Sequence, residues 1–340
     1  MTSKELAKKI GVSQSTVSRA LNDSPLISDD IKNYVREEAA KAGFVLNSQA
    51  RSLKIHKTGT IGILFPVFFE SLSKNLMFTY IYDLVQRELI KNNFDVMMVY
   101  DYGQPSEIGV LERILKSHKV DGFISLRPTL EERELTLICN NKYPFVSLYL
   151  APEHNEIPNF FGVDEKDLGI CAGRFFGKNS EPTASNVFLS ITLRSDSSRK
   201  RLEGFHKGLE ENGKHVDSFL ECDFTMESAY NTVIAKKDLF LSKRNSLFVY
   251  NDMLSLGAIQ ALKTLGVAIP EETQIIGVDD IPMASWVYPK LSTVRIPVKE
   301  MVSEGCLTLM EMIDGKKFPP TVNLYDSILV LRDTTRNQNC

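Results

Sequence analysis

Residues 246–280 read SLFVYNDMLSLGAIQALKTLGVAIPEETQIIGVDD. SLFVYN and TQIIGVDD are short apolar runs with the composition of strands, and residues 252–265 between them have the spacing of an amphipathic helix. Strand, helix and strand in that order form one parallel unit. The same alternation runs upstream through TIGILFPVFF (60–69), FDVMMVY (94–100), VDGFISL (120–126), PFVSLYL (144–150) and NVFLSIT (186–192), with a helical stretch at 75–91. Repeated strand–helix units predict an α/β fold of doubly wound parallel sheets. About 280 residues follow Thr60, which is large for a single sheet, so two lobes are expected.

Composition narrows the class. The chain has 340 residues, 43% hydrophobic and 24% charged, the balance of a globular protein with two or three domains. No apolar run approaches the roughly 18–20 residues that span a bilayer, and the N-terminus MTSKELAKKIG lacks the apolar core of an export signal. Cys139, Cys171, Cys222, Cys306 and Cys340 are scattered without a CxxC pair, which suits a reducing cytoplasm and argues against a disulfide framework. The five histidines, His56, His118, His154, His206 and His215, show no metal-ligand spacing, so no metal is expected. There is no GxGxxG, Walker A or GxSxG motif, and neither a cofactor nor an enzymatic activity is expected. The paired Asp279 and Asp280 could do acid–base work but read more simply as a turn at a strand end.

The first 56 residues differ from the rest. They hold nine Lys and Arg against six Asp and Glu, a net charge of +3, leaving −6 on the remainder. A small basic head on an acidic body suits contact with a polyanion. SKELAKKI (3–10) turns Leu6, Ala7 and Ile10 to one face, and Gly11 breaks the run. Ser13 can cap a second helix with Val17, Ala20 and Leu21 inward. NDSPL (22–26) is turn chemistry, and Ser28 can cap a third helix that stops near Gly43. Ile31, Val35 and Ala42 would close the small core. A helix, a tight turn at Gly11–Val12 and a second helix with Gln14, Ser15, Ser18 and Arg19 outward form a helix-turn-helix. Gln and Arg can reach base edges in the major groove, while short hydroxyls at Thr16 and Ser18, with Asn22, allow close approach to phosphates. The same pattern also fits a plain three-helix packing module. Residues 44–58 read as a linker with one or two helical turns between Asn47 and Lys54, too short to be stable without a partner.

MTSKELAKKIGVSQSTVSRALNDSPLISDDIKNYVREEAAKAGF closely resembles the N-terminal domain of the LacI/GalR family of bacterial transcription regulators. The linker LNSQARSLK (46–54) and the segments RLEGFHKGLEENG (201–213), 247–280 and PKLSTVRIP (289–297) resemble the same family, so the likeness covers nearly the whole chain. It implies a helix-turn-helix DNA-binding domain at 1–46 and a hinge helix and linker at 47–58. A two-lobed periplasmic-binding-protein-like core would follow, with one lobe from 59–163 and 293–323 and the other from 164–292 and 324–340. It places base reading on Gln14, Ser15 and Arg19, and backbone or groove-edge contact on Thr2, Thr16, Ser18 and Asn22. Asn47 would cap the hinge helix, and Ala50 and Leu53 would enter the minor groove, where a leucine wedge kinks the duplex. The family usually has proline before that asparagine; here it is Leu46. Paired hinge helices imply a homodimer on a pseudo-palindromic double-stranded operator.

For the core, the resemblance implies a small-molecule effector, a sugar or related metabolite, between the lobes. Arg201 matches the family's sugar-contacting arginine, though it would also suit a surface ion pair, and Phe224 matches an aromatic that stacks on the ligand, though it would also suit core packing. Asp252, following LFVYN at the start of a helix, can accept two hydrogen bonds from vicinal hydroxyls or serve as a plain N-cap. Tyr149 replaces a family aspartate, Arg127 is an added cation near the same rim, and the resemblance puts Asp279 and Asp280 in structure near the cleft. Pro66 is followed by Val67 rather than an acidic residue, and NLMF (75–78) comes roughly five residues later than in most members, so the loop at 67–75 is longer and could form a lid. Fewer carboxylates and two arginines favour a phosphorylated sugar clamped by Arg127 and Arg201. The expected function is a cytoplasmic, effector-controlled transcription regulator, a repressor of carbohydrate-related genes. The alternatives are a cytoplasmic solute-binding module without a DNA role and an enzyme of sugar metabolism that depends on Asp252.

Overall fold

The computed structural model describes residues 1–21, 24–44, 57–66, 75–100, 109–127, 130, 132–149 and 159–336. The chain divides into two compact units, Met1–Gly59 with His118–Asp121, and the remainder.

Among its described residues the first unit carries three helices, α1 (Ser3–Ile10), α2 (Gln14–Leu21) and α3 (Asp29–Lys41). Thr2 and Glu5 form a capping box at the start of α1: the Thr2 hydroxyl accepts from the Glu5 amide at 3.3 Å, and Glu5 Oε2 accepts from the Thr2 amide at 2.7 Å. Gly11 ends α1 with φ +74°, a left-handed conformation that glycine adopts without penalty. Two residues later Ser13 Oγ accepts from the Thr16 amide at 3.0 Å and starts α2. Ser28 precedes α3 in an extended conformation but makes no side-chain cap; Asp29 and Asp30 instead supply negative charge to the helix start. Leu6, Ala7, Ile10, Val17, Ala20, Val35 and Ala39 form the core, with Leu21 and Ala42 partly buried against it. Ile31, expected inside, is 41% exposed. It lies eight residues before Ala39 and so about 80° further round the helix, outside the stripe that faces α1 and α2.

Among its described residues the second unit holds two six-stranded sheets. The first contains β1 (Thr60–Leu64), β2 (Asp95–Val99), β3 (Gly122–Ser125), β4 (Phe145–Tyr149), β5 (Phe160–Gly162) and β11 (Val322–Leu324), in the order β11-β5-β4-β3-β1-β2. The second contains β6 (Ser185–Ser190), β7 (Ser218–Glu221), β8 (Asn245–Val249), β9 (Thr273–Asp279), β10 (Ser292–Arg295) and β12 (Ile328–Val330), in the order β12-β10-β9-β8-β6-β7. Every described pairing is parallel except β10 with β12. The connecting helices are α4 (Leu76–Lys91), α5 (Val110–Lys116), α6 (Glu132–Asn141), α7 (Glu165–Asn179), α8 (Asp196–Glu210), α9 (Met226–Ala235), α10 (Lys237–Ser242), α11 (Asp252–Thr264) and α12 (Val298–Ile313). The chain leaves the first sheet after β5, returns after β10 to supply α12 and β11, and crosses back for β12. β10 pairs with β9 over Ser292–Arg295, so the return crossing lies past Arg295 rather than at the expected 293.

Helices α7 and α8 pack backbone to backbone. A Cβ at Gly169 or Gly173 would overlap the main chain of α8, and one at Gly204 or Gly208 would overlap that of α7. This close approach brings Glu165, at the first turn of α7, beside Arg201 on α8. Behind them the second lobe is filled by aromatic rings, with Phe188 stacked on Phe248 at 5.1 Å between centroids and Phe205 against both. Among the described residues no helix is long and apolar enough to cross a membrane.

Candidate functional site

Two surfaces gather the expected functional residues. On α2, Val17 and Ala20 point inward, which leaves Gln14, Ser15 and Arg19 exposed and Thr16 and Ser18 half-buried at the edge of that face. The polar side chains are already organised: Ser13 Oγ lies 2.7 Å from Ser15 Oγ and 2.8 Å from Thr16 Oγ1, and Gln14 Nε2 donates to Ser3 Oγ at 3.0 Å. Thr2 is exposed beside them, although its hydroxyl serves as the α1 cap. Asn22, Asn47, Ala50 and Leu53 lie outside the described residues, as do the hinge turns.

The second surface is a cavity of about 530 Å³ in the cleft between the two sheets. Its walls are the carboxyl ends of β4, β6, β7, β8 and β9 with the first turns of α4, α7, α8 and α11, the position where open α/β folds collect ligands. The first lobe supplies Asn75, Leu76, Met77, Phe78 and Tyr149. The second supplies Glu165, Arg194, Asp196, Glu221, Asp223, Phe224, Tyr250, Asn251 and Asp279, among others. The lining is aromatic and acidic, and Arg194 is the one cation among its described residues. Most of the expected lid, residues 67–74, lies outside the described residues.

Of the five expected effector contacts, Tyr149 and Phe224 line the cavity; Phe224 packs edge-on to Tyr250 at 6.0 Å. The other three are corrected. Asp252 is fully buried behind the wall, where Oδ1 accepts from Thr293 Oγ1 at 2.6 Å and Oδ2 from the Ile281 amide at 3.0 Å. Its neighbours Asn251 and Met253 face the cavity instead. Burial, reinforced by the charge of Asp279, pushes the Asp252 carboxyl well above its ordinary value. Arg201 is 1% exposed; its Nε donates to Glu165 Oε2 at 2.6 Å, its NH1 donates to the Tyr250 carbonyl, and its guanidinium lies 4.3 Å from the centre of the Tyr250 ring. Burial alone would favour the neutral form, but Glu165 outweighs it and holds Arg201 above its usual range. Arg127 is also buried and lines no part of the cavity: Nε donates to the Phe65 carbonyl at 3.0 Å, and NH1 lies 3.3 Å from Glu134 on α6.

Asp279, a turn residue by its sequence, stands in the cavity wall. Its backbone has φ +117°, and its carboxylate accepts from the Tyr149 hydroxyl at 2.8 Å. Burial pushes its pKa up to about 7, against the lowering influence of Arg201 and of the Tyr149 hydrogen bond. Sequence reasoning also misses Asn251, which caps α11 through the Leu254 amide at 2.9 Å and faces the same space. The sequence signal for both is their place at the ends of strands β8 and β9.

Comparison with known proteins adds three findings. Residues 2–47 match the profile of bacterial regulatory proteins, lacI family, and residues 187–335 match the periplasmic binding protein-like domain. The chain is 25% identical over 345 residues, covering 99% of each chain, to the HTH-type transcriptional repressor PurR of Photobacterium profundum. The lac repressor dimer bound to operator and the anti-inducer ONPF has a similar fold, with TM-score 0.78 and 22% identity, covering 98% of this chain and 99% of that one. So does a LacI family transcriptional regulator from Enterococcus faecium with bound ribose, with TM-score 0.70 and 23% identity, covering 81% of this chain and 98% of that one.

Proposed function

The chain belongs to the lacI family of bacterial regulatory proteins, as a DNA-binding transcriptional repressor with an effector-binding domain and not an enzyme, and from that premise we propose that it reads a pseudo-palindromic operator as a cytoplasmic homodimer and answers to a neutral sugar in the cleft. Gln14, Ser15 and Arg19 read bases from α2. Thr2, Thr16 and Ser18 hold phosphates, and Gln14 exchanges its hydrogen bond to Ser3 for one to a base edge. The hinge roles of Asn47, Ala50 and Leu53, and the backbone contact of Asn22, remain part of this proposal. Effector binding acts by favouring one relative arrangement of the lobes over another.

One observation carries the choice of a neutral ligand: neither arginine expected to clamp a phosphate lines the cavity, Arg201 being paired with Glu165 behind the wall and Arg127 with Glu134. An acid-rich wall repels an anion, whereas carboxylates and aromatic faces suit sugar hydroxyls and the apolar face of a sugar ring. The ribose bound by the Enterococcus faecium regulator is consistent with that chemistry. Calorimetric titration with paired sugars and sugar phosphates tests the reading. Binding of a neutral sugar with no detectable heat from its phosphate is expected, and preference for the phosphate would overturn it. A mobility-shift assay on duplexes from the upstream region of its own gene tests the DNA role separately.

A further inference from the structure

Tyr149 ends β4 in the first lobe and Asp279 ends β9 in the second, and the hydrogen bond between them crosses the cleft through protein atoms alone. Both residues are buried, at 7% and 3% exposure. Both also take positive φ, +74° at Tyr149 and +117° at Asp279, where residues with a side chain are uncommon. Each is braced from its own lobe. Phe78 packs edge-on to the Tyr149 ring at 5.9 Å. Beside Asp279, the Asp280 carboxylate accepts from Arg295 Nε at 2.6 Å and from Arg332 at 2.5 Å, which pins the turn. Two unusual backbone conformations, aimed at one another and held from behind, mark a site where strain is kept for a purpose.

The geometry points to an intramolecular clasp: the Tyr149 phenol stands on Asp279 as an effector hydroxyl would, holds the two lobes together, and must be displaced before a ligand hydroxyl can take its place on that oxygen. The inference rests on the reading of this cleft as the effector site. The clasp gives the regulator a closed arrangement of its own making. It also lowers the apparent affinity for an effector by the fraction of molecules in which the phenol occupies Asp279.

Hydrogen–deuterium exchange on the full-length protein tests this. Tyr149→Phe keeps the ring against Phe78 and removes only the donor. Exchange in peptides covering 145–149 and 276–281 is expected to rise at least about threefold, with the far end of α11 (258–264) unchanged. Asp279→Ala should give the same pattern, and the double variant should add nothing to either single one. Wild-type exchange in Tyr149→Phe, or additive effects in the double variant, would overturn the clasp. If Tyr149→Phe does not fold, Asp279→Ala decides alone: unchanged exchange at 145–149 refutes the inference. Titration with D-ribose, D-glucose and cellobiose gives a second readout. Whichever sugar binds should bind Tyr149→Phe about tenfold more tightly than wild type, and weaker binding would make Tyr149 an effector contact instead. Absence of heat from all three with both proteins counts against the effector reading, while the exchange pattern still judges the clasp.

Discussion

Arg201 Nε lies 2.6 Å from Glu165 Oε2, and the two residues meet because α7 and α8 cross through glycines. The pair is almost fully removed from water, at 1% and 3% side-chain exposure. Desolvation of each ion is offset by the other and by the Tyr250 carbonyl and ring. Breaking one side leaves a buried charge without its partner. Arg201→Met is therefore expected to destabilise the effector domain by roughly 3–5 kcal/mol, and Arg201→Met with Glu165→Leu by clearly less. Urea unfolding of the two variants checks this; equal losses would mean that the pair contributes little beyond its packing.

Gly204 should be intolerant of even one added carbon. Its Cβ would overlap the Lys166 carbonyl on α7, a backbone atom that cannot swing aside. Gly204→Ala is expected to cost about 1–3 kcal/mol by forcing the helices apart, although alanine is the better helix former. A rise in stability on thermal unfolding would show that the crossing is looser than it looks.

Gly277 makes a parallel case inside the sheet. A Cβ there would meet Asp252 Oδ1 and Ser255 Oγ. Gly277→Ala should push the Asp252 carboxylate off Thr293 and lower stability by about 1–3 kcal/mol. The companion Gly277→Ala, Asp252→Ala variant should recover part of that loss, because it makes room for the new methyl group. Calorimetric melting temperatures of the two variants decide it, and no recovery would place the clash elsewhere.

These relationships explain which parts of the protein could be read from sequence. Strands and helices were legible because apolar periodicity is local: SLFVYN, residues 252–265 and TQIIGVDD became β8, α11 and β9 with shifts of a residue or two. The helix-turn-helix was legible for the same reason, apart from Ile31. The site was only half legible. That Arg201 is spent on Glu165, 36 residues away, depends on how closely two helices approach, and Arg127 is spent on Glu134 through a helix docking beside its strand. Asp279 ends a strand and Asp252 lies just past one, but only the backbone at the turn decides which carboxylate faces the cleft. Sequence position marks the rim of such a cleft, whereas burial and pairing decide which rim residues are available.

Arg19 stands exposed in the last turn of α2, beside no described acidic partner. Arg19→Ala is expected to cost roughly 1–3 kcal/mol of operator affinity and to relax the preference at one base position, with the rest of the consensus kept. Loss spread uniformly over all sequences, with a shallower salt dependence, would instead make Arg19 a phosphate contact. Selection from a randomised duplex library, run with both proteins, separates the two.

Asp279 should leave a pH signature of definite sign. Its pKa in the folded protein is pushed up to about 7, chiefly by burial, while an unfolded aspartate titrates near 3.9. Between roughly pH 4 and 7 the folded state therefore holds the proton more tightly, and stability falls as pH rises through that window. Arg201 and the Tyr149 hydroxyl oppose the shift, and Glu165 adds to it. Asp252, raised in the same direction, would blur a single pH profile. Asp279→Asn removes one titration and, by taking away a charge that helps raise Asp252, weakens the other, so both changes carry the same sign in the difference. The stability of wild type minus that of Asp279→Asn, from urea unfolding at pH 5, 6, 7 and 8, should decline with rising pH and level off above pH 7. A difference that stays flat, or that grows with pH, would mean that Asp279 is already ionised and comfortably solvated in the folded protein.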